Sequence, residues 1–310
     1  MKRPSNITFV IFTQNEEKRI EYPIRCFLPY GNVLISDDHS TDNTVKIARK
    51  LGAEVINRKT YEKHLQVENE EEANYIFKHV KTDWVFWGFA DTMVPKTCLE
   101  LYVKTANENK YKVVVQKLKT LLYDNREYFS SINVTTRFFR KDSMDFKNNP
   151  IHQTGKYKNH VKPTDILYLP PIDEYSIYHF STDTTPSILS KINLYTSIQA
   201  SSSSAKFLGV KIILLPLLYF LNTYILSGGF KNGVQGFIVA VQYSFFYPIL
   251  VYSKVYENEH NLTPELIEKK FSHTKRGLLV ESPKSNIIKK IIASAKNALV
   301  SRMHIFYKFR

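Results

Sequence analysis

The sequence is poor in cysteine and has no glycine-rich nucleotide-binding motif. Its only cysteines, Cys26 and Cys98, lie far apart and lack metal-ligand spacing, which argues against a cysteine-ligated metal site and indicates a reducing cytoplasmic setting. No Gly-x-Gly-x-x-Gly or Gly-Lys-Ser/Thr follows the first apolar segment, so dinucleotide enzymes and P-loop NTPases are disfavoured. That segment is short and has no small-residue cleavage site, which predicts a strand rather than a signal peptide.

Acidic residues are scarce relative to basic ones. Among 310 residues, 43 Lys and Arg oppose 29 Asp and Glu, which gives a formal net charge of +14. Such a charge favours nucleic acid, anionic lipid or phosphorylated substrates as partners. The basic residues are scattered and form no compact motif, so we expect no nucleic-acid partner. A basic nucleic-acid-binding protein stays as the alternative of a different class.

The first hundred residues alternate between apolar runs and helix-like segments. This order predicts a β-α-β-α-β-α-β arrangement and therefore an α/β fold with a parallel sheet covered by helices. The predicted strands are residues 7–12, 32–36, 53–56 and 84–90. The predicted helices end near Cys26 and Leu51, cover residues 70–79, and begin again at Pro95.

Polar side chains follow three of the predicted strands, at Thr13 to Glu17, at Asp37 with Asp38, and at Asp91. Ligands of such sheets bind beyond the carboxyl ends of the strands, so we expect these side chains to share one rim. A carboxylate there can accept hydrogen bonds from a base or a ribose, or help to hold a divalent cation beside a diphosphate. The alternative is that Asp37 and Asp38 only end a strand and cap a turn.

Four segments in this region carry a family resemblance. They are ITFVIFTQNEE at 7–17, DDHSTDNT at 37–44, EAN at 72–74 and WVFWGFADTMVP at 84–95. Their order resembles the family 2 glycosyltransferases, which have the Rossmann-like GT-A fold, a mostly parallel sheet flanked by helices. In the second segment His39 replaces the Gly of the family's Asp-Asp-Gly-Ser pattern.

Later segments resemble the branch of this family that acts on lipopolysaccharide core and capsule. They are RFFRK at 137–141, IHQ at 151–153, YHFS at 178–181, KINLY at 191–195 and GGFKNGVQG at 228–236. Strand alternation would place Arg137 and Arg140 on opposite faces, so at most one of them points into a site.

The resemblance implies roles for particular residues. Those expected to line the nucleotide pocket are Thr13, Glu16, Asp37, Asp38, Asn74 and Ala90, with Asp37 contacting the base. Asp91 and His179 would be ligands of a divalent cation, Mn²⁺ or Mg²⁺, beside the diphosphate. Neutral imidazole suits ions of the Mn type, and such an ion neutralises charge on the leaving nucleotide.

Two departures from the family pattern bear on activity. Phe89 stands where the first acid of Asp-x-Asp is expected, and Thr92 follows Asp91 where Glu is usual. One carboxylate can still hold a cation whose other ligands are water and phosphate oxygens, and metal independence stays open.

The second departure concerns the general base. Gln153 occupies the position of the branch's expected base, and an amide cannot take a proton from a hydroxyl. His152, Asp145 or Asp183 could replace it.

The carboxyl-terminal third differs in composition. Residues 212–230 and 232–253 are uncharged, and GT-A relatives suggest helices in the membrane interface. Membrane-spanning helices and a hairpin buried in a soluble core are the alternatives. Near the end of the sequence, an apolar stripe with basic neighbours predicts an amphipathic helix that binds an anionic bilayer. The alternative is a helix docked on its own domain, with its basic face in solvent. The residues of the stripe are Ile288, Ile291, Ile292, Ala295, Leu299 and Met303.

These observations predict three regions: a GT-A domain at 1–200, an apolar helical hairpin at 201–257 that associates with membrane, and a basic tail at 258–310. The expected function is an inverting transfer of a sugar, UDP-linked in our interpretation, to a lipid-linked or lipopolysaccharide-type glycan. The expected place is the cytoplasmic face of a bacterial inner membrane. A catalytically weakened nucleotide-sugar-binding protein of the same fold is the alternative.

Overall fold

A computed structural model describes residues 6–58, 68–122, 126–127, 134–147, 149, 154–182, 184–280, 286–294 and 296–297. Its first half alternates strands and helices. The elements are β1 (Ile7–Thr13), α1 (Glu21–Phe27), β2 (Asn32–Asp37), α2 (Thr44–Lys50), β3 (Glu54–Asn57), α3 (Glu70–His79), β4 (Trp84–Phe89), β5 (Thr92–Met93) and α4 (Lys96–Glu108). The predicted order of elements is confirmed, with boundaries within one or two residues.

The later strands vary in length and are mostly antiparallel to their neighbours. They are β6 (Val113–Leu122), β7 (Arg126–Glu127), β8 (Val134–Arg140), β9 (Met144–Asp145), β10 (Lys156–Tyr157), β11 (Ile166–Tyr168) and β12 (Ile177–Phe180). The main sheet has the order β3-β2-β1-β4-β8-β6-β12-β5, and its first four strands are parallel. The fold is therefore α/β, with a mixed and mostly parallel sheet, as predicted.

The two faces of the sheet bury separate apolar clusters. One cluster, on the side of α1 and α4, includes Phe9, Phe27 and Trp84. The other lies under α3 and includes Phe12, Trp87 and Phe139. The strands are continuous apolar runs because both of their faces are covered. Burial on both faces holds the sheet rigidly, so the loops at its carboxyl edge start from fixed positions.

A helical region follows β12. It contains α5 (Thr185–Ser202), α6 (Leu208–Phe220), α7 (Gly233–Val241) and α8 (Tyr247–Glu259). π-Helical turns at Leu221–Leu226 and Gln242–Phe246 extend α6 and join α7 to α8. α5 includes the first two residues of the serine stretch 201–204.

Side chains tie α8 to α5. Val251 and Val255 of α8 bury against Ala200 of α5. The ammonium group of Lys254 donates to the carbonyl of Asn193 at 2.6 Å and to the hydroxyl of Thr196 at 2.8 Å. The helical region also contacts the α/β domain directly, since Val239 of α7 packs against Leu122 of β6 and the side-chain amide of Asn232 donates to the Glu127 carbonyl at 3.1 Å.

The chain divides into two compact units, residues 1–255 and 256–310. Within the second unit, α9 (Pro264–Val280) is helical, as are residues 287–294, whose side chains are exposed. Leu299, Met303 and Ala295 of the predicted apolar stripe lie outside the described residues. The predicted three-region division stays a prediction.

Candidate functional site

The strand register brings the predicted polar residues to one edge of the sheet. Thr13 of β1 is paired with Asp37 of β2, and Asp37 is paired in turn with Asn57 of β3. Phe12 is paired with Phe89 of β4, which places Asp91 just beyond the same edge. The carboxyl ends of β1, β2 and β4 therefore form one rim.

Asp37 is buried and holds together the loop that follows β2. Its carboxylate accepts hydrogen bonds from the Thr13 hydroxyl at 3.0 Å, from the Ser40 backbone N–H at 2.8 Å and from the Ser40 hydroxyl at 2.6 Å. This arrangement contains the turn-capping role that was the alternative to base binding. Asp37 is 1% exposed, and its carboxylate is used by the turn. Its contact with a base stays a prediction.

The rest of the DDHSTDNT segment fastens the loop that follows β1. The backbone N–H of Glu16 donates to the Thr44 hydroxyl at 2.7 Å, and that of Glu17 donates to Asp42 at 3.0 Å. Asp42 also accepts from the Thr44 backbone N–H at 2.9 Å. Burial works to raise the pKa of Asp42, but the hydrogen bonds from Thr44 and Glu17 lower it below its ordinary value. The two loops are consequently one hydrogen-bonded structure.

His39 occupies a backbone conformation that suits glycine. Its φ is 54°, in the left-handed region that costs a residue with a Cβ about 1 kcal/mol or more. The family pattern has Gly at this position, and the φ angle gives the physical reason.

Asp38 faces the opposite side of the sheet from Asp37 and belongs to another charge cluster. Arg58, just beyond β3, lies 3.3 Å from Asp38 and 3.4 Å from the fully buried Glu72 of α3. Ser36 also donates to Glu72, at 3.3 Å. Asn74, which the resemblance placed in the pocket, is exposed on α3, so the structure does not bring it to Asp38.

Glu16 fixes an arginine at the rim. Arg19 donates to both carboxylate oxygens of Glu16, at 2.5 and 2.7 Å, and to the Thr182 hydroxyl at 2.8 Å. A bidentate pair of this kind orients a guanidinium group strongly. Ala90 is buried in the core, and its methyl side chain offers no polar group to a ligand.

Asp91 and His179 meet at the centre of the rim. The Nε2 atom of His179 lies 3.1 Å from Oδ2 of Asp91, and its Nδ1 atom lies 3.4 Å from the Thr120 hydroxyl. Thr92, where the family has Glu, places its hydroxyl 3.4 Å from Oδ1 of Asp91. The backbone N–H of Phe180 donates to the Asp91 carbonyl at 2.8 Å, which ties β12 to this site.

Neighbouring positive charges lower the pKa of Asp91. Burial works to raise the pKa of this carboxyl group, but the hydrogen bond and charge of His179 and the charges of Arg19 and Lys191 lower it below its ordinary value. Asp91 is therefore ionised at neutral pH, in a site that is rich in positive charge.

The residues at this point fit a divalent cation that the substrate helps to bind. Among the described residues, no three His, Cys, Asp or Glu side chains lie together, so the protein offers the Asp91–His179 pair and not a complete ligand set. Mg²⁺ is commonly held by one or two carboxylates with phosphate oxygens and water, and imidazole suits Mn²⁺. The Thr120 contact at Nδ1 would orient the imidazole as outer partners of metal-bound histidines do.

A half-buried arginine lies beside Phe89. The guanidinium carbon of Arg137 lies 5.0 Å from the centre of the Phe89 ring. Its Nη1 atom is 3.3 Å from the Trp87 carbonyl and 3.4 Å from the Glu68 carboxylate. Burial raises the pKa of Glu68 and lowers that of Arg137, while their mutual attraction opposes both shifts. Arg140 contacts Asn109 instead, at 2.6 Å, as the predicted alternation of the strand requires.

The acceptor side of the site is only partly described. His152, Gln153 and Asp183 lie outside the described residues. Asp145 is exposed in the β9–β10 ribbon, where its carboxylate accepts from the Lys147 backbone N–H at 2.9 Å. The identity of the general base therefore stays a prediction.

Sequence reasoning did not assign roles to Arg19, Glu68 or Arg137. Their contacts join segments far apart in the chain, and no local motif announces them. The one sequence signal for these residues was the missing acid at position 89. It left open which charged side chain lies near Phe89.

The model of the family described as "Glycosyl transferase family 2" matches residues 8–157, which include Thr13, Asp37 and Asp91 of the rim but not His179. An uncharacterized glycosyltransferase of Rickettsia conorii is 25% identical over 259 residues, covering 77% of this chain and 86% of the relative. One from Rickettsia typhi is 26% identical over 247 residues, covering 77% and 82%.

Solved structures show weaker similarity. The crystal structure of S. aureus TarS 1–349 in complex with UDP-GlcNAc is 14% identical, with a TM-score of 0.40, over 83% of this chain and 93% of that one. A longer S. aureus TarS chain has a TM-score of 0.39 at 15% identity; the match covers 76% of this chain and 47% of TarS.

Proposed function

We propose that this chain, whose residues 8–157 match the model of glycosyl transferase family 2, transfers a sugar from a UDP-linked donor to a lipid-linked or lipopolysaccharide- or capsule-type glycan. The observation that carries the proposal is the rim on which Thr13, Asp37 and Asp91 lie together. The proposal puts one nucleotide beyond the carboxyl ends of these strands, with its base near β2 and its diphosphate near Asp91.

The proposed reaction is a single displacement with inversion at the sugar. A base on the acceptor side takes the proton of the acceptor hydroxyl, the oxygen bonds to C1, and the bond from C1 to the diphosphate breaks, so UDP leaves with the electron pair. His152, Asp145 and the position of Gln153 are the candidates for this base. A divalent cation, when bound, supplies positive charge for the leaving diphosphate, and Asp91 with His179 would hold it.

The helical region supports a membrane location. Two helical segments, Leu208–Leu226 and Gly229–Glu259, are long and apolar enough to cross a bilayer by length and composition. In the first of them just 6% of the residues are buried. We propose that this surface lies in the membrane interface on the cytoplasmic side, where the enzyme would meet a lipid-linked acceptor and anionic lipid.

The first experiment measures donor binding and turnover together. Purified chain in detergent is tested against UDP-glucose, UDP-galactose and UDP-GlcNAc, with and without Mn²⁺ or Mg²⁺, for binding and for slow hydrolysis of the donor. Asp37→Ala is expected to lose UDP binding, and Asp91→Ala is expected to lose the response of turnover to metal. Unchanged turnover in both variants would reject the site.

A second candidate function has a specific basis. Phe89 and Gln153 replace two acids that the family uses, so the chain could bind nucleotide-sugars without turning them over. Tight UDP-sugar binding with no transfer to membranes of the source organism would favour this candidate.

A further inference from the structure

We propose that Arg58, anchored by the buried carboxylate of Glu72, sets the nucleobase preference of the donor site together with Asp38. The base that these side chains fit has a ring N–H next to a carbonyl group, as in uracil and not in cytosine. The inference rests on the proposed function, because it names the residue that selects the base within the same donor site.

The two acids at the end of β2 differ in what their carboxylates are free to bind. Asp37 is 1% exposed and accepts hydrogen bonds from Thr13 and Ser40. The side chain of Asp38 is 36% exposed, and its Oδ2 atom lies 3.3 Å from Nη1 of Arg58. Within the described part of the chain, no hydrogen bond occupies the Oδ1 atom of Asp38. Asp38 therefore keeps an acceptor for the N–H of a ligand, at the edge of the sheet where the nucleotide is proposed to bind.

The backbone places Arg58 directly beside Asp38. The backbone N–H of Arg58 donates to the Asp37 carbonyl at 2.8 Å, which continues the pairing of β2 with β3 by one residue. The backbone N–H of Asp38 donates to the Thr13 carbonyl, also at 2.8 Å. Both side chains consequently start from main chain that the neighbouring strands hold in position.

Glu72 anchors the guanidinium group from the side of α3. Its carboxylate is fully buried and lies 3.4 Å from Nε of Arg58, whose side chain is only 11% exposed. Because a buried carboxylate needs a positive partner, the charge of Arg58 is committed to Glu72. One arginine between two carboxylates leaves one negative charge, which the more exposed Asp38 carries. Nη2 of Arg58 has no hydrogen-bond partner among the residues that the structure describes, so it remains a donor for a ligand.

This arrangement of one acceptor next to one donor matches the polar edge of uracil. That edge has a ring N–H beside a carbonyl group, so Asp38 accepts from the N–H and Arg58 donates to the carbonyl. Cytosine reverses both groups, since it has an unprotonated ring nitrogen and an amino group at these positions. With cytosine the carboxylate faces a lone pair and the guanidinium group faces N–H donors, which leaves both unpaired.

The test measures the ratio of the affinities for UDP and CDP, by titration calorimetry on the full chain in detergent with Mn²⁺. The two nucleotides share the ribose and the diphosphate, so a partly misfolded sample or a change in metal binding affects both alike. Wild type is expected to bind UDP about 30-fold more tightly than CDP, or more, because CDP loses two hydrogen bonds. Arg58→Lys keeps a charge near Glu72 but loses the planar pair of donors, so the ratio is expected to fall to about fivefold.

A double variant removes the buried charge pair without leaving Glu72 unpaired. Arg58→Met with Glu72→Met should lower the ratio to about threefold and keep the melting temperature close to that of wild type, since apolar side chains often replace a buried ion pair without loss of stability. The matched control is the exposed ion pair of α1, in which Arg25 lies 2.6 Å from Glu21. Arg25→Lys, and Arg25→Met with Glu21→Met, should both keep the wild-type ratio.

Asp38→Asn supplies a reverse test, because an amide can donate to the ring nitrogen of cytosine. This variant is expected to weaken UDP and to strengthen CDP, and a loss of structure cannot strengthen either. Wild-type affinities for UDP and CDP within about threefold of each other, or a wild-type ratio in both Arg58 variants, overturn the role of Arg58 while leaving the transferase proposal intact. Failure of the wild type to bind UDP or any UDP-sugar overturns both.

Discussion

At the scale of single residues, the backbone conformation of His39 explains why the family pattern has glycine at this position. Its backbone has φ of 54°, which glycine adopts without steric cost. We expect His39→Gly to raise the free energy of unfolding by about 1 kcal/mol. Urea denaturation measures this change. His39→Ala keeps the Cβ and should bring no gain, and a less stable His39→Gly would show that the imidazole contributes more than the backbone strain costs.

Asp91 gives a residue-scale prediction about pH. Its folded-state pKa is lowered from the ordinary value of 3.8, since burial is outweighed by His179, Arg19 and Lys191. A depressed pKa means that the ionised carboxylate stabilises the fold above pH 3.8 and that this contribution disappears as the pH falls through the folded-state value. Asp91→Asn in EDTA should therefore be less stable than wild type at pH 7, with a gap that closes on acidification. A gap that does not depend on pH would contradict this assignment.

At the scale of elements, α7 packs closely against the turn that precedes it, with a glycine on each side of the contact. A Cβ on Gly236 would lie 2.0 Å from the Gly229 carbonyl oxygen, a backbone atom that cannot rotate away. We expect Gly236→Ala to lower the melting temperature of the full chain in detergent by several degrees. Gly209→Ala in α6 is the matched control, because nothing lies within 4 Å of its added methyl group, and it should be neutral or stabilising. Equal melting temperatures would mean that α7 shifts at no cost.

Elements also show what the sequence could predict. The alternating apolar runs predicted the four parallel strands and their helices, because a strand buried on both faces leaves a continuous signal in the sequence. The shared rim of Asp37 and Asp91 followed from that order alone.

The contacts of the charged side chains could not be predicted in the same way. Arg137, Phe89 and Glu68 come together from segments far apart in sequence, and their meeting depends on strand order and side-chain rotamers. Asn74 shows the converse, since its motif position suggested the pocket while the turn of α3 exposes it. Helix geometry places residues two apart on nearly opposite sides, and Glu72 takes the buried side.

At the scale of the whole molecule, the exposed apolar surface of α6 makes a prediction about lipid. Ile213, Leu217 and Leu221 are 68%, 48% and 52% exposed, so polar substitution there should spare the packing of the α/β domain. Replacing all three by Gln should lower co-flotation of the purified chain with anionic liposomes by about tenfold, because buried apolar area drives interfacial binding. Melting temperature, measured in detergent, checks that the fold survives.

The control for this experiment is an apolar position on the α/β domain. Tyr168→Gln removes an aromatic side chain that is 66% exposed on β11 and should leave flotation unchanged. Equal flotation of the triple variant and the control would place lipid contact elsewhere or exclude it.

The ammonium group of Lys254 has a mechanical consequence. It lies within hydrogen-bond distance of oxygens of Asn193, Thr196 and Ser197, which all belong to α5. Because one ammonium group makes all of these contacts, moving α8 away from α5 would break them together.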